Sequence, residues 1–256
     1  MGWSQSMADS ARSQRLPRNA GLHGHGPRAP DVRDRARSAF KPLRPPVTSA
    51  MAPSVSSPDR LDRPAPTAAG PAQTGRLPTL LAPRVQLRWM DARDLEDLYA
   101  VYSDPEVVRY WSHTAWPHRD EASIYLEAIE RGFQAGHLYQ WGIALRGSNQ
   151  VIGTTTLYAV DHAQGRAEIG FALARGHWGH RYAREALTVL FEHAFGALAL
   201  RRIEADVDPR NHASLHTLEA LGFRREGYLR QRWQVAGELQ DSIVMGLLAS
   251  DWPPPP

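Results

Sequence analysis

From Val85 onward, apolar and polar positions alternate with two different periods. Val85, Leu87 and Trp89 alternate with Gln86 and Arg88, which predicts a short strand. Asp91 then stands where a helix cap belongs, ahead of the stripe Leu95, Leu98, Tyr99 and Tyr102, and Asp104-Pro105 closes that helix. Asp120 heads a second amphipathic stretch carrying Ile124, Tyr125, Ala128, Ile129 and Phe133, which Gly136 stops. Two strands are predicted over 139–145 and 151–160, joined by the turn 146–149, and a further strand places Ile169, Phe171 and Leu173 on one face.

The period returns to helical after 175–183, where Tyr182, Ala183, Ala186, Leu187, Leu190, Phe191 and Ala194 form a broad apolar face. Ile203, Ala205 and Val207 then alternate with Glu204, Asp206 and Asp208. A short helix is predicted from about Asn211 to Leu221, closed by Gly222, and two last strands flank the turn Ala236-Gly237-Glu238. The order β-α-α-β-β-β-α-β-α-β-β describes a mixed α/β domain.

Composition divides the chain in two. Residues 1–84 carry 13 Lys and Arg against 5 Asp and Glu, a charge of +8, whereas residues 85–256 carry 17 against 22, a charge of −5. The front also holds 13 of the 20 prolines but only Trp3 and Phe40 among 22 aromatic residues. So little apolar surface cannot offset the entropy of ordering the segment, so it is expected to be disordered. Its arginines are scattered and lack aromatic partners, which disfavours a nucleic-acid interface. The absence of cysteine excludes disulfides, thiolate metal sites and a cysteine nucleophile. No apolar run reaches the length of a membrane span, and the first 30 residues lack the apolar core of a secretory signal. A cytoplasmic location is the expectation.

Two segments carry candidate chemistry. Gly176 and Gly179 run off a strand into a helix start, where unpartnered N–H groups and the helix dipole favour an anion, with Arg175 and Arg181 adding charge. No Lys-Ser/Thr pair follows, so the segment is not a P-loop, and its spacing is not that of the dinucleotide fingerprint. The second segment is Asp208-Pro209-Arg210-Asn211-His212-Ala213-Ser214, with Leu221-Gly222-Phe223 beyond it. Asn211 is a natural helix cap and Ser214 lies in the first turn.

Together with Leu77–Arg88, Tyr102–Tyr110, Glu168-Ile169-Gly170-Phe171 and Arg202-Ile203-Glu204-Ala205, these segments make 77–252 resemble the GNAT superfamily of acetyl-CoA-dependent N-acetyltransferases, and within it the ribosomal-protein-alanine (RimJ/RimL) type. The resemblance leaves 1–76 as a basic Pro/Arg/Ala-rich extension and 253–256 as a tail. It implies a twisted mixed sheet of six to seven strands with one splayed parallel pair, flanked by about four helices. It implies acetyl-CoA as acetyl donor and an amine acceptor, foremost a protein N-terminal α-amino group, with no metal, in a monomer or homodimer. An amine-bearing metabolite or antibiotic as acceptor, and a non-catalytic acyl-CoA-binding module, are the alternatives.

On this resemblance, Phe171, Ala172 and Leu173 face the pantetheine arm, with a backbone N–H near Phe171 to Ala172 as oxyanion donor. Gly176, Trp178, Gly179, His180, Arg181, Tyr182 and Ala183 cradle the pyrophosphate, and Asn211 faces the pantetheine or acetyl end. Glu168 is the expected base, with Glu204 as its alternative, and Ser214 the expected proton donor to the thiolate. Tyr110, Trp111, His113 and Trp116 are expected to wall the acceptor pocket. The sequence departs from the superfamily pattern at three places: Trp178 stands at the usual Gln/Arg position, Arg181 at the middle glycine of the loop, and Leu218 where many members have a tyrosine acid. An L-residue takes positive φ at a cost, so Arg181 implies either ordinary helix there or an altered cradle.

Overall fold

The computed structural model describes residues 75–252. The extension expected over 1–76, apart from 75 and 76, and the tail at 253–256 lie outside the described residues. Eight strands form one sheet: β1 (Leu80–Leu81), β2 (Val85–Arg88), β3 (Leu138–Leu145), β4 (Val151–Asp161), β5 (Arg166–Leu173), β6 (Arg202–Val207), β7 (Arg224–Val235) and β8 (Glu238–Leu248). Four α-helices accompany them: α1 (Leu95–Tyr102), α2 (Asp120–Gln134), α3 (Tyr182–Gly196) and α4 (His212–Glu219). The strand beyond the expected number is the two-residue β1, which pairs antiparallel with β2.

Alternation along the strands sorts side chains onto two cores. Ile152, Leu157, Ile169, Leu173, Ile203 and Ala205 face the layer of α3 and α4, where Leu187, Leu190, Phe191, Leu215 and Leu218 meet them. The opposite face presents Val151 and Ala172 to α1 and α2, against Leu98, Val101, Tyr102, Tyr125 and Ile129. Helix starts differ from expectation in detail. Asp91 caps a single 3₁₀ turn, Ala92–Asp94, in a reciprocal capping box with Asp94, and α1 follows from Leu95. Asp120 is the first residue of α2 rather than its cap, and Arg119, at the cap position, makes no side-chain cap bond. An acidic first-turn residue is still favoured there by the helix dipole.

The sheet order is β1-β2-β3-β4-β5-β6-β8-β7, and among these pairs only β5 and β6 run parallel. Their ladder covers three rungs, Arg166 with Arg202, Ala167 with Ile203 and Glu168 with Glu204. Beyond Glu168 the two strands part, although β5 continues to Leu173 and β6 to Val207. Each remains fully paired on its outer side. β4 holds β5 as far as Leu173 opposite Gly153, and β8 holds β6 as far as Val207 opposite Ile243. The domain is thus two complete half-sheets joined at one short seam, with a wedge-shaped gap between the carboxyl ends of the parallel strands.

Candidate cofactor and acceptor site

A gap at the carboxyl ends of diverging parallel strands is where open α/β sheets bind ligands. The edge of β5 that lines it can be read from hydrogen bonding. The Ala174 N–H donates to the Ile152 carbonyl at 2.8 Å, and a Cβ placed on Gly153 would lie 2.2 Å from the Ala172 oxygen. Even-numbered residues therefore spend their backbone groups on β4, and Phe171 and Leu173 turn theirs to the gap. This corrects the expectation for Ala172, whose carbonyl addresses β4 and whose side chain packs with α1 and α2. The Leu173 carbonyl is itself occupied, accepting the Trp178 indole N–H at 2.6 Å. Trp178 is 45% exposed, so its role here is to latch the loop to the strand end rather than to fill core.

After one 3₁₀ turn, Arg175–His177, the chain enters α3 through Gly179 at φ 76° and Arg181 at φ 65°, ψ 14°. The altered-cradle question raised by Arg181 is thereby answered: the arginine adopts the left-handed backbone of the glycine it replaces, at a cost of about 1 kcal/mol. The first intrahelical bond runs from the Glu185 N–H to the Arg181 carbonyl. Among the described residues the N–H groups of Gly179 to Arg184 meet no protein acceptor, and Arg181 supplies no side-chain cap. Six such donors at a helix N-terminus form an anion cradle. Nothing lies within 4 Å of a Cβ on Gly176 or Gly179, so the approach is open.

The second helix start faces the same end of the gap. Asn211 caps α4, its Oδ1 accepting the Ser214 N–H at 3.1 Å, which leaves the Asn211 amide N–H groups available. Ser214 lies half-buried in the first turn. Asp208 binds Arg210 at 2.6 Å, and the Arg210 guanidinium stands 5.7 Å from the Tyr110 ring centre. Arg175 pairs with Asp104 at 3.1 Å. These two contacts bring the aromatic loop after α1 to the mouth of the gap. Within that loop Tyr110, Trp111 and His113 are partly exposed, with Trp111 and His113 5.5 Å apart. Trp116 is not: it is buried and stacks on Tyr102 at 4.6 Å, so its ring packs α1 and α2 instead of standing as an open wall.

Three carboxylates sit on the gap's α1/α2 face, and their partners separate them. Glu204 is claimed by Arg202 at 2.7 Å and Arg166 at 3.5 Å. Asp206 accepts the Trp233 indole N–H at 3.0 Å and the Ser242 hydroxyl, and faces Arg232. Glu168, on the last paired rung, makes no ion pair among the described residues and stands directly opposite Tyr158 of β4. Burial raises the Glu168 pKa above the ordinary carboxylate value, and the charges of Glu204 and Asp206 add to it, while Tyr158 and Arg232 oppose.

Residues 84–224 match the acetyltransferase (GNAT) domain family. The chain belongs to the GNAT family of acetyltransferases. It is 36% identical over 174 residues to the uncharacterized N-acetyltransferase p20 of Bacillus licheniformis, covering 68% of this chain and 98% of that one. It is 26% identical to the [ribosomal protein uS5]-alanine N-acetyltransferase of Escherichia coli, over 64% of this chain and 86% of the relative. The solved structure of Mycobacterium smegmatis RimJ in complex with CoA-disulfide superposes with a TM-score of 0.64 at 25% identity, covering 70% of this chain and 91% of that one.

GNAT enzymes use acetyl-CoA, and the site fits it: an open amide cradle for a pyrophosphate beside a strand edge with backbone groups turned outward. Among the described residues no group of three metal-ligating side chains is assembled, and no helix is long and apolar enough to cross a membrane.

One fastener of this GNAT cradle lies outside any local pattern. Glu185, one turn into α3, accepts the N–H of Val85 at 3.2 Å and that of Arg84, and pairs with the Arg84 guanidinium at 2.8 Å. Arg84 also reaches the His180 carbonyl at 3.0 Å and lies over the Tyr182 ring at 4.7 Å. Glu185→Ala strands two backbone donors, one of them on the fully buried Val85. We expect a loss of roughly 2–3 kcal/mol, read as a fall of about 4–10 °C in Tm. Burial raises the Glu185 pKa, but the Arg84 and Val85 N–H groups and the Arg84 guanidinium hold it below the ordinary value overall. Its contribution is complete above the ordinary carboxylate range and disappears as pH falls through the depressed value, so the variant and the parent should converge in Tm in acid.

Proposed function

We propose that this acetyltransferase acts on a protein N-terminal α-amino group, which attacks the donor directly while both substrates occupy the gap. The observation that carries the reading is Glu168, a carboxylate at the seam that makes no ion pair among the described residues and whose proton affinity is raised by burial. An α-ammonium has an ordinary pKa of about 7.7–8.0, within reach of such a base, whereas a lysine ammonium at about 10.4 requires more. The name of the Escherichia coli relative, an alanine N-acetyltransferase of ribosomal protein uS5, supports the same class of acceptor. The acidic domain suits a basic peptide.

Acetyl-CoA supplies the activated thioester. The loop amides from Gly179 to Ala183 hold its pyrophosphate, with His180 and Arg181 beside it, and Asn211 holds the pantetheine or acetyl end. The Phe171 N–H, turned into the gap by the β4 ladder, donates to the oxygen on which negative charge develops. Glu168 takes the proton of the incoming ammonium. Ser214, in the first turn of α4, gives its proton to the departing sulfur and regains one from the nitrogen as the tetrahedral intermediate collapses to the amide. Tyr110, Trp111 and His113 border the acceptor's path. Most of the rate comes from holding the two reactants together.

The test is thiol release from acetyl-CoA with three acceptors: a peptide beginning with alanine, the same peptide blocked at its N-terminus with an internal lysine, and spermidine. The reading requires the free-terminus peptide to have the highest kcat/KM, and a preference for spermidine or the blocked peptide overturns it. In the same assay Ser214→Ala should lower kcat about tenfold or more, with the CoA Kd within about twofold of the parent. A matching loss of CoA affinity would move Ser214 from proton donation to binding.

A further inference from the structure

Leu218 occupies the place of the tyrosine that many superfamily members use, yet the structure brings a different tyrosine to the seam. Tyr158 on β4 lies directly opposite Glu168 on β5 in the antiparallel register, and Glu168 in turn lies beside Glu204 across the last parallel rung. Side chains directly opposite in such a ladder stand about 4.5–5.5 Å apart at Cβ, close enough for the phenol to meet the carboxylate. Its ring rests on Gly170, the next residue on that face of β5: a Cβ added there would lie 3.5 Å from the Tyr158 ring. The position is therefore built by packing on one side and by the carboxylate on the other.

We propose that Tyr158 is a positioning residue, donating a hydrogen bond that fixes the orientation and the proton affinity of Glu168. This inference rests on the reading of Glu168 as the base. Burial raises the Tyr158 pKa well above its ordinary value, with Glu168 and Asp206 adding and Arg232 opposing, so the phenol stays protonated and serves as a donor rather than a proton source. The groups facing Glu168 are Tyr158 from β4, Glu204 and Asp206 from β6 and Arg232 from β7. Of the three carboxylates only Glu168 makes no ion pair among the described residues, and its opposite neighbour on β4 is a neutral phenol in place of a cation.

The experiment is a carboxyl ¹³C titration of glutamate-labelled protein with CoA bound, with Glu168→Gln identifying the Glu168 resonance. Tyr158→Phe keeps the ring on Gly170 and removes the donor, so the Glu168 midpoint should rise by roughly half to one pH unit. Replacement of Tyr158 by 3-fluorotyrosine, a more acidic phenol and a stronger donor, should move the midpoint the other way. An unchanged midpoint in both variants, or a fall in Tyr158→Phe, overturns the proposal. The acidic limb of kcat/KM for the alanine-terminated peptide should follow the same displacement, with the CoA Kd unchanged. If the midpoint moves while the parent shows no limb at that pH, the assignment of Glu168 as base fails and the Tyr158–Glu168 coupling stands.

Discussion

Gly179→Glu should weaken acetyl-CoA binding by at least about 100-fold in a calorimetric titration of the intact protein. Gly179 opens the run of unpartnered amides ahead of α3, and its own Cβ position is empty space, so the new side chain enters the cradle instead of being turned away. A carboxylate about 4 Å from a pyrophosphate charge costs about 4 kcal/mol at an effective dielectric near 20, or about three decades in Kd. Some of the effect is backbone strain, because φ is 76° at this residue. Gly179→Ala separates the two contributions: it carries the strain without the charge and should lose less than about tenfold. Equal losses in the two variants would show that loop geometry, and not anion contact, governs affinity.

Glu168→Gln should lower kcat/KM by roughly 10²–10⁴ and abolish the acidic limb of the pH profile. The amide preserves the size of the side chain on the rung between Tyr158 and Glu204 but accepts no proton. The limb in the parent should lie above the ordinary carboxylate range, because burial first, and then Glu204 and Asp206, raise the Glu168 pKa. Activity rises as Glu168 ionises, so the loss in the variant is greatest above that limb and smallest below it. Glu204→Gln is the comparison: its carboxylate is held by Arg202 and Arg166, and its replacement should leave the limb in place. Disappearance of the limb in Glu204→Gln instead would exchange the two roles.

The elements of this domain are written plainly in its periodicities, and the glycine loop announces a helix start open to an anion. What the periodicities omit is partnership across long separations. Glu168 and Glu204 read alike, as polar positions on alternating strands, and only the register that places Arg166 and Arg202 around Glu204 distinguishes them. Tyr158 reads as one more strand tyrosine, because its place opposite Glu168 follows from a ladder that is irregular between Tyr158 and Asp161. The Glu185 fastener joins residues 101 apart in the chain, beyond any local pattern. Trp116 was legible as an aromatic of the loop but not as a ring stacked on Tyr102, since burial depends on how α1 and α2 meet. Arg181 was legible as a departure, and its left-handed backbone is imposed by the turn into α3.

The short seam between β5 and β6 has a mechanical meaning. Two half-sheets, each laddered to its own outer neighbours beyond the seam, share three rungs and then separate, so the seam is a short joint between two plates. Most of the cooperative tie that a continuous ladder would provide is missing between them. A donor molecule seated in the wedge is expected to lie between the strand edges of both plates, as a strut that belongs to neither. Amide exchange along the inner edges of β5 and β6 beyond the seam is then expected to slow when the donor binds.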